Sequence, residues 1–150
     1  MKPHYLLVLS LTLPGALRAQ TAADSAGIRQ AALDYIEGYY NGDATRMERA
    51  VHPELAKRIV QTSPDGRRQM LGQMSAATLI QGTRDGGGRD TPDSLRRKDV
   101  TILDIYQNAA SARIDASYWI DYLHLAKWRG RWVIVNVLWE MHPQRPAQPR

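Results

Sequence analysis

The sequence contains neither cysteine nor phenylalanine among its 150 residues, and none of its apolar runs is long enough to cross a bilayer. Without cysteine there is no disulfide, no thiolate nucleophile, no cysteine metal site and no lipid anchor through a cysteine behind a leader. Stability has to come from the packing of the core, which a chain of this length can bury as one domain. Without phenylalanine, aromatic volume falls to seven tyrosines and four tryptophans, whose polar ends need partners when buried.

Other familiar chemistries are missing too. Gly86-Gly87-Gly88 follows no strand and opens no helix, so it lacks the setting of a phosphate-cradling loop. No serine stands in a nucleophile-elbow sequence. The four histidines are scattered, with no close carboxylate–histidine spacing. Neither a metal nor a cofactor is expected.

The net charge is +5, and losing Lys2 and Arg18 with a leader would leave about +3. The basic clusters Arg67-Arg68 and Arg96-Arg97-Lys98 are not interleaved with aromatics. They predict a solvated surface rather than a nucleic-acid partner. At the N-terminus Lys2, the apolar run Leu6 to Leu13, the break at Pro14-Gly15 and the small residue Ala19 predict a cleavable leader over 1–19. The mature chain would begin at Gln20 and be secreted or periplasmic. The alternative is an apolar helix that stays on the protein.

Asp24 or Ser25 can cap a helix over about 26–40, with Ile28, Ala31, Ala32, Tyr35, Ile36 and Tyr39 forming one stripe. Asn41-Gly42-Asp43 stops it, Gly42 suiting the left-handed position after a helix. Asp43 or Thr45 opens a short second helix containing Met47, Ala50 and Val51, ended by His52-Pro53. Leu55 to Thr62 reads as extended or irregular. Asp65 can cap a third helix over about 66–81, with Met70, Leu71, Met74 and Ala77 as its stripe. Thr83 to Pro92, glycine-rich and without large apolar residues, predicts a flexible loop.

From Lys98 onward the period is two. Val100 to Tyr106 and Ala110 to Ser117 flank a turn at about Asn108-Ala109, setting Leu103 and Ile105 with Ala112 and Ile114, and Asp104 against Arg113. Ile120 to Glu140 is a long hairpin. A two-residue loop at Arg129-Gly130 would fix its register. One face would then carry Tyr122, His124, Val135, Val137 and Trp139; the other Asp121, Leu123, Leu125, Trp132, Ile134, Asn136 and Leu138. Helices first and strands last predict an α+β domain over 20–142. It would be cone-shaped, with N-terminal helices packed on a curved antiparallel sheet of about four strands. A polar, proline-rich tail over 143–150 is expected to be disordered.

Two groups of segments carry a family likeness. The first is Tyr35-Ile36-Glu37-Gly38, Tyr40-Asn41-Gly42-Asp43, Arg46-Met47, His52-Pro53 and Lys57-Arg58. The second is Asp104-Ile105-Tyr106, Asn108 to Ala112, Asp121 to Leu125 and Asn136 to Glu140. Together they resemble the putative lumazine-binding family of the nuclear-transport-factor-2-like (SnoaL-like) superfamily. The resemblance implies a pocket between helices and sheet, and frequent dimers through the exposed sheet face. It selects no reaction, because the superfamily includes isomerases, dehydratases, cyclases, epoxide hydrolases and members of no known activity.

Asp121 and Asn136 are diagonal on one apolar face in the derived register. A carboxylate so placed has a raised pKa and can serve as a general base, as in ketosteroid isomerase, which is similar in fold to the superfamily. Equally, Asp121 can be a strand-end carboxylate bonded to Asn136. His52 is either a pocket-rim base facing Tyr35 or Tyr39, or a helix-end histidine favoured by the dipole. His124 is either a base or an interface residue, and with Tyr122 and Trp139 it would make an aromatic interface patch. Tyr35, Tyr39, Tyr40, Tyr106, Trp119 and Trp132, with Leu123 and Asn136, are candidate pocket residues, although the same aromatics also suit a core without phenylalanine. Three functions are compatible with this reading. The first is an exported domain that binds a small apolar or aromatic molecule. The second is a proton-transfer enzyme of isomerase or dehydratase type using Asp121, and the third a homodimeric interaction domain.

Overall fold

The computed structural model describes residues 15–143. Residues 1–14 of the leader expected over 1–19 and residues 144–150 of the tail expected over 143–150 fall outside that span. Helix α1, Gly15–Asn41, is longer than the sequence pattern suggests. It buries Ile28, Ala31, Ala32, Tyr35 and Ile36 of the stripe expected from helical spacing, with Tyr40 buried in addition and Tyr39 only partly so. It ends where Gly42 takes φ +65° and the Asp43 N–H reaches back to the Gly38 carbonyl at 2.9 Å. Asp43 then caps helix α2, Ala44–Ala50, its carboxylate accepting from the Arg46 N–H. Met47 and Ala50 are buried beneath α1.

His52-Pro53 does not merely end that helix. It opens strand β1, Val51–Thr62. Pro53 lacks an N–H, and it falls in the irregular stretch between the ladder pairs Val51–Ile134 and Ala56–Asn136, where none is required. The expected third helix is half strand. Residues Gln69–Ser75 form β2, antiparallel to β1, and only Ala76–Arg84 is helical, as α3. Asp65 organises the turn between β1 and β2, accepting from Ser63 Oγ and the Arg67 N–H. The helix cap is Ser75, which accepts from the Thr78 N–H. Met70 and Leu71, 67 % and 61 % exposed, have no surface to pack against as a helical stripe would.

Strands β3 (Lys98–Tyr106), β4 (Ala109–Ala116), β5 (Trp119–Trp128) and β6 (Arg131–Met141) complete one six-stranded sheet in the order β2-β1-β6-β5-β4-β3. The sheet is mixed rather than purely antiparallel, because β1 runs parallel to β6. The two strands beyond the expected four are β1 and β2. In β3 an irregularity between Ile102 and Asp104 turns Leu103 out to solvent and sets Asp104 opposite Ser111 rather than near Arg113.

The loop after α3 is fastened rather than loose. Tyr39 donates its O–H to the Gly87 carbonyl at 3.1 Å, and Arg89 and Arg96 both reach Asn41. A Cβ on Gly88 would stand 2.5 Å from the Tyr39 carbonyl oxygen, so this close approach requires glycine.

The β5–β6 hairpin turns at Arg129-Gly130, and the expected register holds out to Leu125 opposite Ile134. There β6 takes in one extra residue, Val135, and from His124 opposite Asn136 onward every pair is shifted by one. Since side chains alternate, the outer half of β6 exchanges faces. Trp139 comes opposite Asp121 on the inner face, and Asn136 comes opposite His124 on the outer face.

Candidate functional site

The inner face of β1 and β5 brings together the only lysine buried among the described residues and a carboxylate with no exposed surface. Asp121, 0 % exposed, accepts from Lys57 Nζ at 2.6 Å through Oδ1 and from Trp119 Nε1 at 2.6 Å through Oδ2. Lys57 reaches it because it points inward between Leu55 and Ile59, at the alternating positions of β1. Its Nζ also donates to the Tyr35 hydroxyl at 2.6 Å, and it lies 4.9 Å from the Trp139 ring centre and 5.4 Å from that of Tyr35. Burial pulls the Lys57 ammonium below the usual lysine range, the Asp121 charge offsetting part of that pull. Burial, reinforced by the Asp121 charge, pushes the Tyr35 phenol well above its ordinary value, so it stays protonated. Burial raises Tyr39 as well.

In front of this pair lies a cavity of about 470 Å³. Tyr35 and Tyr39 from α1, Met74 from β2, Leu79 from α3, and Trp119 and Trp139 from the sheet form its walls, with Lys57 the only charged group lining it. Tyr118 and Met141, half exposed, flank the opening. Tyr39 and Trp119 meet edge to face at 5.7 Å, which fixes both rings. An ammonium has three N–H groups. Two are used within the protein, and the third is available to an acceptor in the cavity.

The residues singled out from sequence separate widely. Tyr35 and Tyr39 line the cavity, and Asp121 stands behind Lys57. Tyr106 is at the far end of β3, 71 % exposed. Leu123 is a core residue, and Trp132 is buried elsewhere, donating to Asp24 at 3.0 Å beside the Lys127–Asp24 ion pair. His52 is not at a cavity rim facing Tyr35 or Tyr39. It stacks edge-on against Trp128 at 5.1 Å and accepts the Glu54 N–H. Asn136 is not a pocket residue, because the Val135 bulge turns it outward, where it bonds Arg58 at 2.8 Å and meets His124 at 3.3 Å. The same bulge moves Trp139 from the expected outer patch into the cavity wall. Tyr122 and His124 are on the exposed outer face, as the register near the loop implies. Lys57, Met74, Leu79, Tyr118 and Met141 are among the lining residues that sequence reasoning missed. The signal for Lys57 was a charge at an inward-facing position between Leu55 and Ile59.

Among the described residues no three histidine, aspartate or glutamate side chains are grouped to hold a metal ion, and no helix is long and apolar enough to cross a membrane.

Helices closing over a sheet, with a cavity between them, make up the fold shared with NTF2-like proteins. An NTF2-like protein of unknown function from Shewanella baltica is 23 % identical, with a TM-score of 0.62, over 82 % of this chain and 97 % of that one. One from Methylobacillus flagellatus is 22 % identical, with a TM-score of 0.61, over 81 % and 94 %. A third, from Novosphingobium aromaticivorans and described as having a cystatin-like fold, is 16 % identical with a TM-score of 0.61, over 88 % and 90 %. At these identities the likeness is one of fold. Residues 23–140 match the family described as putative lumazine-binding, and the chain belongs to that family. No curated protein matches it.

Proposed function

We propose that this protein binds a small, flat, uncharged molecule in the cavity between α1, α3 and the sheet, presenting a carbonyl or similar acceptor atom to Lys57. The observation that carries the reading is the Lys57–Asp121 pair at the cavity floor. The pair is electrically balanced, so an anionic ligand would leave one buried charge uncompensated, which is costly in such surroundings. A neutral acceptor takes the third N–H of Lys57 without that cost. Aromatic walls and one polar anchor are the usual makeup of a small-molecule site. Lumazine, the compound in the family's description, is a flat bicycle bearing carbonyl groups and fits these requirements. Asp121 serves in this reading as the group that orients Lys57. Asp121 does not line the cavity, and Lys57 and Trp119 hold its two oxygens, so it is not placed to take a proton from the ligand directly.

Native mass spectrometry of the protein purified from its own host should reveal a retained neutral molecule. Lumazine titrated at neutral pH should quench the fluorescence of Trp119 and Trp139. Absence of both a retained molecule and any quenching would overturn the reading.

Two wider aspects belong to the same proposal. The leader over residues 1–19 would export the domain to the periplasm or beyond, which N-terminal sequencing of the mature protein tests. The outer sheet face would join two copies. It carries the hydrogen-bonded row Gln73–Arg58–Asn136–His124, flanked by exposed Leu71, Val60, Leu138 and Tyr122, and exposed apolar groups of this number on one face favour a partner. Sedimentation should give a dimer for wild type and a monomer for Tyr122→Glu; a monomeric wild type overturns this part.

A further inference from the structure

The geometry points to Lys57 as a carbonyl-capturing residue, forming a reversible imine with an aldehyde seated in the cavity. The inference rests on the cavity being a ligand site and goes beyond it, because it assigns covalent chemistry to the anchor. Three features carry it. Lys57 is the one amine lining the cavity, whereas Lys98 and Lys127 are engaged elsewhere with Glu37 and Asp24. Its nitrogen touches a proton acceptor, Asp121 Oδ1, and a hydroxyl, that of Tyr35, each at 2.6 Å. The walls are aromatic and aliphatic, which keeps bulk water from an imine once formed.

The steps balance. Lys57 Nζ gives one proton to Asp121, leaving a neutral amine beside a neutral acid, a change that removes two buried charges together. The nitrogen lone pair attacks the carbonyl carbon, the C–N bond forms, and the π pair of C=O moves to oxygen, which takes the Tyr35 proton while the Tyr35 oxygen takes one from the nitrogen, giving a neutral carbinolamine and leaving Tyr35 protonated. Tyr35 then passes its proton to the carbinolamine hydroxyl and takes the proton held by Asp121 in the same step, the C–O bond breaks, and water leaves as C=N forms. Ammonium plus aldehyde becomes iminium plus water. The positive charge beside Asp121 is the same at the start and the end, so the buried ion pair survives the reaction. No oxidant or reductant enters.

The test uses the full chain with benzaldehyde and cyanoborohydride, which reduces an imine to a stable amine. The expected product carries one benzyl group, mapped to Lys57, and is absent from Lys57→Arg. Asp121→Asn, which keeps the shape but accepts no proton, should label about a hundredfold more slowly. Should Lys57→Arg not fold, protection replaces it: benzamide, flat and unreactive, should shield Lys57 of the wild type from labelling. Binding of benzamide with no labelling of Lys57, or with labelling no faster than at Lys98 and Lys127, overturns the inference and leaves the pocket reading intact. If neither benzamide nor benzaldehyde engages the cavity, the pocket reading fails with it.

Discussion

Lys57 and Asp121 meet at 2.6 Å although their strands are not neighbours: β6 runs between β1 and β5, and the lysine crosses it beneath the Trp139 ring. The pair therefore ties three strands at one point. Removing either partner alone strands a buried charge and should cost about 3–5 kcal/mol. The double variant Lys57→Met, Asp121→Leu should recover most of that loss. A urea-unfolding double-mutant cycle measures it, and additive single effects would show that the pair is not coupled.

Met74 points into the cavity from β2. Met74→Trp should fill much of the space at a cost to stability of about 1–3 kcal/mol at most. Ligand retention in native mass spectra should fall about tenfold or more. Unchanged retention would place the ligand elsewhere.

Gly88 and Gly82 make a contrasted pair. A methyl at Gly88 collides with the Tyr39 backbone, whereas one at Gly82 meets nothing within 4 Å. Gly88→Ala should destabilise by about 1–3 kcal/mol and speed amide exchange in the loop that covers the end of α1. Gly82→Ala, inside α3, should be neutral or stabilising by up to about 1 kcal/mol.

Asp34 is buried on the far side of α1. Burial pushes its carboxyl up, but hydrogen bonds from Arg49, Arg46 and Gln30 outweigh this and hold it below the usual range. A carboxylate depressed on folding contributes stability that is complete above its unfolded value and is lost as pH falls through the folded value. Asp34→Asn should thus cost about 1.5–3 kcal/mol near neutrality. The gap from wild type should narrow below about pH 4 and close only once the pH has fallen through the lower folded value. Urea midpoints of the two proteins across this range give the answer; a constant gap would assign the loss to packing.

How much of this was legible depended on how local the cause was. The stripe of α1, the cap at Asp43 and the loop at Arg129-Gly130 follow from a few adjacent residues, and they stand as the pattern implies. Residues 66–81 did not, because Met70, Leu71 and Met74 suit a helical stripe by spacing. The deciding contribution is the ladder that β2 makes with β1, a pairing no local window contains. The site was half legible. Asp121 and the tyrosines stood out by type and position, but the lysine that completes them arrives from a stretch that reads only as extended or irregular, with no pairing partner assigned. No residue in Ile120 to Glu140 announces the bulge that separates Asn136 from Trp139.

That bulge makes the furnishing of the cavity a matter of counting. Because the ladder skips Val135, the wall opposite Asp121 is an indole; were Val135 paired with His124 instead, the same letters downstream would present an asparagine inward and turn the indole to the outside. Opening or closing this one bulge therefore rewrites a ligand wall and an outer surface in a single event, without any letter being exchanged. Among relatives, whether the strand keeps the bulge would say more about what each one holds than differences in identity.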